Sequence, residues 1–132
     1  MSNLGEQLRQ IAERNKVKLE TVVRKTVLDM GSQMVRMSPV DTGRFRANWM
    51  YGAGAINTAT TADTDQSGGV SAQRITAGVV GWKRGEAMFV TNSLPYAQRL
   101  ETGWSKQAPT GMVRTTIAHF EAAFSRALGE VK

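Results

Sequence analysis

Cysteine is absent from the 132-residue sequence, histidine occurs once, and no long run of apolar residues is present. The lack of cysteine excludes disulfide bonds and thiolate zinc sites. Because the N-terminal MSNLGEQLRQ is polar and no apolar run is long enough, we expect neither a signal peptide nor a membrane-spanning helix. Hydrophobic residues make up 41% of the chain and charged residues 21%, which predicts a single globular domain over residues 1–132.

The sequence also lacks the residue sets that catalysis or cofactor binding requires. The single histidine, His119, lies beside an apolar stripe without a surrounding motif, so a Ser-His-Asp arrangement is not indicated. Asp63 and Asp65 lie in a segment predicted to be mobile, where the geometry of acid–base catalysis is difficult to hold. No loop has calcium-ligand spacing, and the glycine pairs match neither the dinucleotide nor the phosphate-loop pattern. We therefore expect no enzymatic activity, no cofactor and no metal site.

Positive charge is in modest excess. The net charge of +6 and the isoelectric point of about 10.2 permit an acidic partner, nucleic acid included. The longest basic pairs, Arg24–Lys25 and Lys83–Arg84, are not interleaved with aromatic residues as a surface for single-stranded nucleic acid would be. A solvated basic surface is the expected interpretation, and a small basic DNA-binding protein is the alternative from a different functional class.

A long helix is predicted at the start of the chain, over about residues 3–36. Asn3 and Glu6 have the spacing of a capping box. Apolar residues follow in two stripes at helical spacing, which are Leu4, Leu8 and Ile11, then Leu19, Val22, Val23, Val27, Met30 and Met34. The polar ERNKVK segment between the stripes could interrupt the helix. Because a small domain cannot cover a helix of this length, we expect part of its apolar stripe, with Val23 and Val27, to contact a neighbouring subunit.

The segment SPVDTGRFRANW predicts a sharp corner after this helix. Pro39 disfavours helical backbone at the residue before it, so the first helix should end near Met37. Asp41 or Thr42 can cap a new short helix through a side-chain oxygen. Gly43 allows the chain to turn tightly as that helix begins.

Short strands and helices are predicted in the rest of the chain. A strand is expected over residues 49–57, and the polar TATTADTDQSGG segment predicts a mobile loop at about 58–69. VSAQRITAGVVGW is compatible with a helix or a strand, of which the helix is favoured. AMFVTN favours a short strand, and LPYAQRLETG favours a short helix that ends at Gly103. One amphipathic helix is predicted over residues 112–128, with a core face of Val113, Ile117, Phe120, Phe124 and Leu128. The predicted class is α+β, with the long N-terminal helix and the C-terminal amphipathic helix packed on a small, mostly antiparallel sheet.

Two blocks of the sequence resemble one protein family. VDTGRFRANW is similar to the PVDTGxLRxSW segment of neck and tail-completion (head–tail joining) proteins from long-tailed double-stranded DNA bacteriophages. TNSLPYAQRLETGWSKQAPTGMVRTTI is similar to the NxxPYAxxxExGxS stretch of that family, with the proline-containing loop and closing helix that follow it. The blocks occur in the family's order with a variable loop between them, and Thr102 stands where an aromatic residue is frequent.

The resemblance implies a non-enzymatic structural protein of the virion, located at the head–tail neck and made in the host bacterial cytoplasm. Such subunits assemble as rings, here expected to be hexamers, and contact other neck or tail proteins such as head-closure and tail-terminator proteins. Genomic DNA would pass nearby without sequence-specific binding, and no membrane contact is expected. A minor tail protein inside the tail is the alternative within the same class.

The resemblance also implies roles for residues of the two blocks. Arg44 and Arg46 would share an exposed face of the short helix, within reach of Glu101 or of acidic residues on a neighbouring subunit. The alternative is a solvated pair without a specific partner, since most surface ion pairs contribute little. The other motif residues are expected to be structural or interface positions, with the aromatic ones as anchors: Asp41, Thr42, Gly43, Trp49, Pro95, Tyr96, Gly103 and Trp104.

Overall fold

The first helix, α1, is continuous over Leu4–Met37 in the computed structural model, which describes residues 4–131. The polar ERNKVK segment does not interrupt α1, and the end of the helix at Met37 confirms the predicted effect of Pro39. Asn3, one half of the predicted capping box, lies outside the described residues. Within residues 4–131, no helix is both long and apolar enough to cross a membrane.

Two strands and five shorter helices follow α1 in the described chain. Strands β1 (Trp49–Ala53) and β2 (Met88–Asn92) pair antiparallel, with Trp49 opposite Asn92 and Ala53 opposite Met88. The helices are α2 (Arg44–Ala47), α3 (Gly69–Val80), α4 (Ala97–Glu101), α5 (Val113–Ala118) and α6 (Phe120–Glu130). The predicted α+β class is confirmed, although β1 is shorter than expected because Gly54, with a φ of +76°, turns the chain at its end.

The core lies where α1, α3 and the sheet meet. A Cβ placed on Gly31 of α1 would lie 3.1 Å from Ile75 of α3, and one placed on Gly78 of α3 would overlap the ring of Tyr51 in β1. The absence of side chains at these two glycines lets α3 approach both elements closely. The buried side chains that fill the space are Met34, Val35, Phe45, Trp49, Ile75, Val79, Leu94, Ala108 and Met112.

The last helix, α6, runs antiparallel to the C-terminal half of α1. Lys25 Nζ lies 2.8 Å from Glu130 Oε2, and Arg126 Nη1 lies 2.6 Å from Asp29 Oδ2. One turn further along α1, Gln33 Nε2 lies 2.9 Å from Nδ1 of His119, at the start of α6. Because the residue numbers rise along α1 while they fall along α6, this ladder fixes the antiparallel orientation.

The predicted C-terminal helix is wrong in two respects. It is divided at His119 into α5 and α6, and of its predicted apolar stripe Val113 packs against the core and Phe124 is half-buried, whereas Ile117, Phe120 and Leu128 are exposed. Ile117 is 61% exposed and Leu128 is 49% exposed, and the residues that α5 and α6 bury are Thr116, Ala123 and Ala127. Small side chains take the inner position because α6 packs closely against α1, and helices approach most closely over small residues.

The N-terminal part of α1 extends beyond the rest of the molecule. Every residue of 4–19, which we term the overhang, is exposed, and the buried part of α1 begins at Val22. Of the two residues predicted to contact a neighbouring subunit, Val27 packs against the chain's own core and Val23 is half-buried. The uncovered apolar surface of α1 therefore lies nearer its N-terminus than the prediction placed it.

Candidate functional site

The two sequence blocks that carry the family resemblance meet in one place, which we term the motif corner (residues 38–49 with residues 94–111). The backbone N–H of Val40 donates to Oε1 of Gln107 at 2.9 Å, and Nε2 of Gln107 donates to the carbonyl oxygen of Val40 at 3.0 Å. The ring of Phe45 lies 6.0 Å from that of Tyr96, centroid to centroid. A side-chain amide and an aromatic pair thus join segments that are distant in sequence.

Gly43 occupies a backbone position that is closed to other residues. Its φ is +94°, and an added Cβ would lie 2.8 Å from the backbone nitrogen of Gln66. The reason for this close approach is a hydrogen bond of 3.0 Å from the N–H of Asp65 to the carbonyl oxygen of Gly43. The predicted tight turn is confirmed, and it also receives the loop that follows β1.

The predicted helix cap at Asp41 is wrong. The N-cap residue of α2 is Gly43, which has no side chain to offer, and Asp41 is exposed. Thr42 makes the local contact instead, since its Oγ1 accepts a hydrogen bond of 3.3 Å from the N–H of Arg44. The turn therefore depends mainly on the conformational freedom of Gly43.

The prediction that Arg44 and Arg46 share an exposed face is wrong for Arg46. The guanidinium of Arg46 donates to the carbonyl oxygens of Gln66 and Ser38, both at 2.7 Å, and to that of Arg36 at 3.0 Å. Arg44 remains exposed, because residues two apart on a helix point in nearly opposite directions. Arg46 is therefore a structural residue that joins the end of α1 to the loop before α3.

Glu101 also has a role other than the predicted one. Its Oε1 accepts hydrogen bonds from the N–H groups of Met112 and Val113 at 2.9 and 2.8 Å, and its Oε2 accepts one from that of Arg114 at 2.9 Å. The guanidinium of Arg114 completes the contact, with Nε 3.3 Å from Oε2. Glu101 caps the N-terminus of α5, which leaves it engaged within its own block.

The environment of Glu101 lowers the pKa of its carboxyl group. Partial burial raises this pKa, but the backbone N–H donors of Arg114, Val113 and Met112 and the guanidinium of Arg114 outweigh that effect. The net pKa lies below the ordinary value of 4.5. The ionised carboxylate is therefore the form that stabilises the turn between α4 and α5.

Trp49 is the anchor of the corner's interior. It is 3% exposed, and its Nε1 donates to Oγ of Ser38 at 2.6 Å, while that hydroxyl donates to the carbonyl oxygen of Met34 at 2.7 Å. Sequence reasoning missed the contribution of Arg74, whose Nη1 donates to the carbonyl oxygens of Trp49 and Ala47 at 2.6 and 3.0 Å. No local pattern marks Arg74, because its carbonyl acceptors come from another element.

The segment 58–69 is attached to the corner at three residues, Thr61, Asp65 and Gln66. The side chain of Asn48 donates to the carbonyl oxygen of Thr61 at 3.0 Å and accepts from its N–H at 2.8 Å. Asp65 is buried, and its Oδ2 accepts a hydrogen bond of 2.9 Å from the N–H of Ser71. The mobility of the loop at about 58–69 stays a prediction.

The second block presents an exposed aromatic residue. Trp104 is 73% exposed, and the guanidinium of Arg99 lies 5.2 Å from the centre of its ring. The chain reaches this position through Gly103, which has a φ of +94° and lies against the carbonyl oxygen of Pro109. Pro95 is exposed, and Tyr96 is packed against the core. Trp104 is therefore the one of the three predicted aromatic anchors that is available to a partner.

The surface of the corner contains a depression of about 280 Å³. Its lining includes the turn from Pro39 to Phe45 on one side and Tyr96, Leu100, Ser105 and Gln107 on the other, with Arg44 as an exposed cation. Within residues 4–131, no group of three or more His, Asp or Glu side chains could hold a metal ion. The lining of the depression is mixed, because the apolar residues Phe45, Tyr96 and Leu100 lie beside two exposed charges of opposite sign, Asp41 and Arg44.

Comparison with known proteins gives no relative: no family model, curated protein or solved structure matches the chain. The resemblance to phage neck proteins therefore depends on the two sequence blocks themselves. The contact between the two blocks in the structure is a separate observation, which does not depend on their sequence similarity to that family.

Proposed function

We propose that this chain is a structural protein of the bacteriophage neck, which completes the head–tail junction as a subunit of an oligomeric ring. The observation that carries the proposal is the meeting of the two blocks in the motif corner, where Gln107 binds the backbone of Val40 and Phe45 packs beside Tyr96. Short motifs that match a family by chance have no reason to be neighbours in the fold. Motifs that are kept for one shared site do have such a reason.

The surface of the corner is suited to contact with another protein of the junction. Arg44 and Trp104 are exposed, and Arg99 lies against the indole of Trp104. Arginine and tryptophan are the residue types that most often dominate binding energy at protein interfaces. The proposed partner surface is acidic, because a carboxylate can pair with Arg44 without any rearrangement of the corner.

The proposal is tested with Arg44→Glu in an assay that joins purified heads and tails made without this protein. Since Arg44 is exposed, we expect the melting temperature of the subunit to be unchanged and joining to fall at least tenfold, as like charges then face each other. Lys83→Glu is the matched control, because it makes the same charge change at an exposed residue outside the corner. Normal joining by Arg44→Glu would show that the corner is not the contact.

The same preparation distinguishes the proposal from DNA binding. A DNA-binding protein of this charge should lose affinity for a duplex steeply between about 50 and 200 mM salt. A ring subunit should assemble, and should restore joining, without added DNA. Failure of the unaltered protein to restore joining, together with tight salt-sensitive duplex binding, would replace the proposed function with the alternative.

A further inference from the structure

Two apolar strips on the described surface are left uncovered by the chain itself. The first is the overhang strip of Leu4, Leu8, Ile11 and Leu19, whose side chains are all exposed. Leu4, Leu8 and Ile11 follow one line of α1 at spacings of four and three residues, and Leu19 lies on the same line eight residues later, with the polar Asn15 between them. The line then reaches Val22 and Thr26. Val22 and Thr26 are buried, so one continuous face of α1 is covered in its C-terminal half and bare in its N-terminal half.

The second strip, which we term the α6 flank, consists of Ile117 at the end of α5 and Phe120, Phe124 and Leu128 of α6. Ile117, Phe120 and Leu128 are exposed, and Phe124 is half-buried. The rings of Phe120 and Phe124 stack with centroids 5.8 Å apart, and Leu128 continues the row one turn later. Ala123 and Ala127, which are buried, lie next to this row on the helix. Large apolar residues thus line the outer flank of α6 while small ones occupy the inner position, which is the reverse of an isolated amphipathic helix.

The charges beside the two strips have opposite signs. The overhang has four basic residues (Arg9, Arg14, Lys16 and Lys18) and two acidic ones (Glu6 and Glu13), a net charge of +2. Helix α6 has two acidic residues (Glu121 and Glu130) and one basic residue (Arg126), a net charge of −1. Glu130 and Arg126 are ion-paired with Lys25 and Asp29 of α1, so Glu121 is the charge that α6 offers to a second copy. Contact between two overhangs would bring like charges together, whereas contact between an overhang and α6 brings opposite charges together.

We propose that the overhang of one copy packs on the α6 flank of a second copy, in a head-to-tail contact. The overhang is about 24 Å long and α6 is about 16 Å long, so the flank can be covered over its whole length. The overhang strip of one copy is covered by the α6 flank of the other, so a single contact covers both kinds of apolar surface. Because the two surfaces differ, a pair of subunits still has one free overhang and one free α6 flank, and the contact propagates to a third copy.

The head-to-tail contact would be the contact between neighbouring subunits of the proposed ring. Only the closure of successive contacts into a ring rests on the proposed function. Head-to-tail association itself follows from the strips and their charges. A two-fold dimer through either strip is the alternative that the charges disfavour for the overhang.

The absence of cysteine from the chain allows a direct test by cross-linking. Ile11→Cys and Phe124→Cys place single thiols near the middle of each strip, so they meet whichever way the two helices run. With a short bis-maleimide, we expect the double variant to give a ladder of covalent dimers, trimers and larger species. A mixture of the two single variants should give dimers alone, and each single variant should stay monomeric on a denaturing gel.

The matched control pairs Ile11→Cys with Val80→Cys, because Val80 is an exposed apolar residue on α3 away from the flank. This pair should give no ladder. Dimers from Ile11→Cys alone, or from Phe124→Cys alone, would overturn the proposal in favour of a two-fold contact. Sedimentation that shows oligomers without any cross-link between the two thiols, or monomers at the highest attainable concentration, would overturn it as well.

A second experiment, in which charges are exchanged between the two surfaces, tests the contact without the Phe124→Cys variant, which could fail to fold. Arg14→Glu and Glu121→Lys change exposed residues, and each alone should weaken self-association at least tenfold. The double exchange should restore association, and a lack of restoration would contradict the pairing of these two surfaces. Either result is independent of the head–tail joining assay, so loss of this inference would leave the proposed role of the motif corner standing.

Discussion

The motif corner and the overhang differ in where their side chains find partners. In the corner, Arg46, Asn48 and Trp49 are engaged by groups of the same chain, through hydrogen bonds of 2.6 to 3.0 Å. In the overhang, every residue of 4–19 is exposed, apolar ones included. The corner was expected to act in assembly, whereas for α1 the expected contact was at Val23 and Val27 rather than in the overhang. Most polar side chains of the corner interior are bound by the chain itself, with the buried Nε of Arg46 as an exception.

The difference shows that the same functional expectation can rest on two kinds of physical observation. In the corner, the interior side chains are fixed by contacts within the chain, and Arg44 and Trp104 are among the few residues that remain exposed. In the overhang, the apolar side chains are exposed to water, which is unfavourable for the single chain. Substitutions of the corner's interior residues should therefore affect folding of the single chain, and substitutions in the overhang should affect association.

The largest effect is expected for Gly43→Val. A β-branched residue is strained at a φ of +94°, and its Cβ would also meet the backbone of residues 65 and 66. We expect a loss of about 3 kcal/mol or more from the free energy of unfolding, as the sum of backbone strain and overpacking. The measurement is chemical denaturation followed by circular dichroism.

Gly85→Val is the matched control for this experiment. Gly85 has nearly the same φ, +98°, but no atom lies within 4 Å of an added Cβ there. It should cost only the backbone strain, about 1 to 2 kcal/mol. Equal losses for the two variants would mean that the loop is not packed against Gly43, and would weaken the description of the corner as a closed structure.

The next effect separates the two arginines. Arg46→Gln removes a guanidinium that serves three carbonyl oxygens, so we expect a loss of about 2 to 3 kcal/mol in the free energy of unfolding. Arg44→Gln makes the same change at an exposed residue and should stay within about 0.5 kcal/mol. Comparison of the two denaturation midpoints is the measurement. If both variants were equally stable, Arg46 would be a surface residue, as the sequence suggested.

A smaller, pH-dependent effect is expected for Glu101→Gln. Because the pKa of Glu101 in the folded chain is below 4.5, its ionised form stabilises the fold above that pH, and this stabilisation is lost as the pH falls through the folded-state pKa. The glutamine variant keeps the shape but not the charge, so at neutral pH it should be less stable by about 1 kcal/mol, as for a lost cap.

The readout is the difference in melting temperature between the parent and Glu101→Gln across pH. The difference should be constant near neutral pH and should narrow once the pH falls below 4.5. A difference that did not change between neutral and acidic pH would show that the carboxylate charge is not what stabilises the start of α5.

The sequence predicted those elements whose signal is local. The end of α1 near Met37 follows from Pro39, and the turn at Gly43 follows from the need for a residue that tolerates positive φ. The C-terminal helix was harder, because periodicity locates an apolar stripe but does not say which neighbour it faces. Ala123 and Ala127, rather than the phenylalanines, became the inner residues once α1 was the neighbour.

The interior of the candidate site could not be predicted for a related reason. Arg46 and Arg74 bind backbone carbonyl oxygens contributed by other elements. Because every residue has such a carbonyl, the sequence does not indicate which one is the acceptor. Asn48 is fully buried, and its side chain forms hydrogen bonds with the backbone of Thr61. This contact could be predicted only if the path of the loop were already known. The two blocks of the resemblance lie together in the structure, but the roles of their side chains depended on the fold.

The smallest effect on folding is expected in the overhang, and it tests the other side of the comparison. Leu8→Gln combined with Ile11→Gln replaces two exposed apolar residues with one that has good helix propensity, so little burial is lost in the single chain. At a protein concentration low enough to keep the chain monomeric, the free energy of unfolding should change by no more than about 0.5 kcal/mol. At high concentration, the same variant should sediment as a smaller species than the parent, because the contact with the α6 flank of a second copy loses its apolar area. A large loss of stability in the monomer would mean that the overhang packs against the rest of the same chain. The overhang would then not differ from the corner in where its side chains find partners.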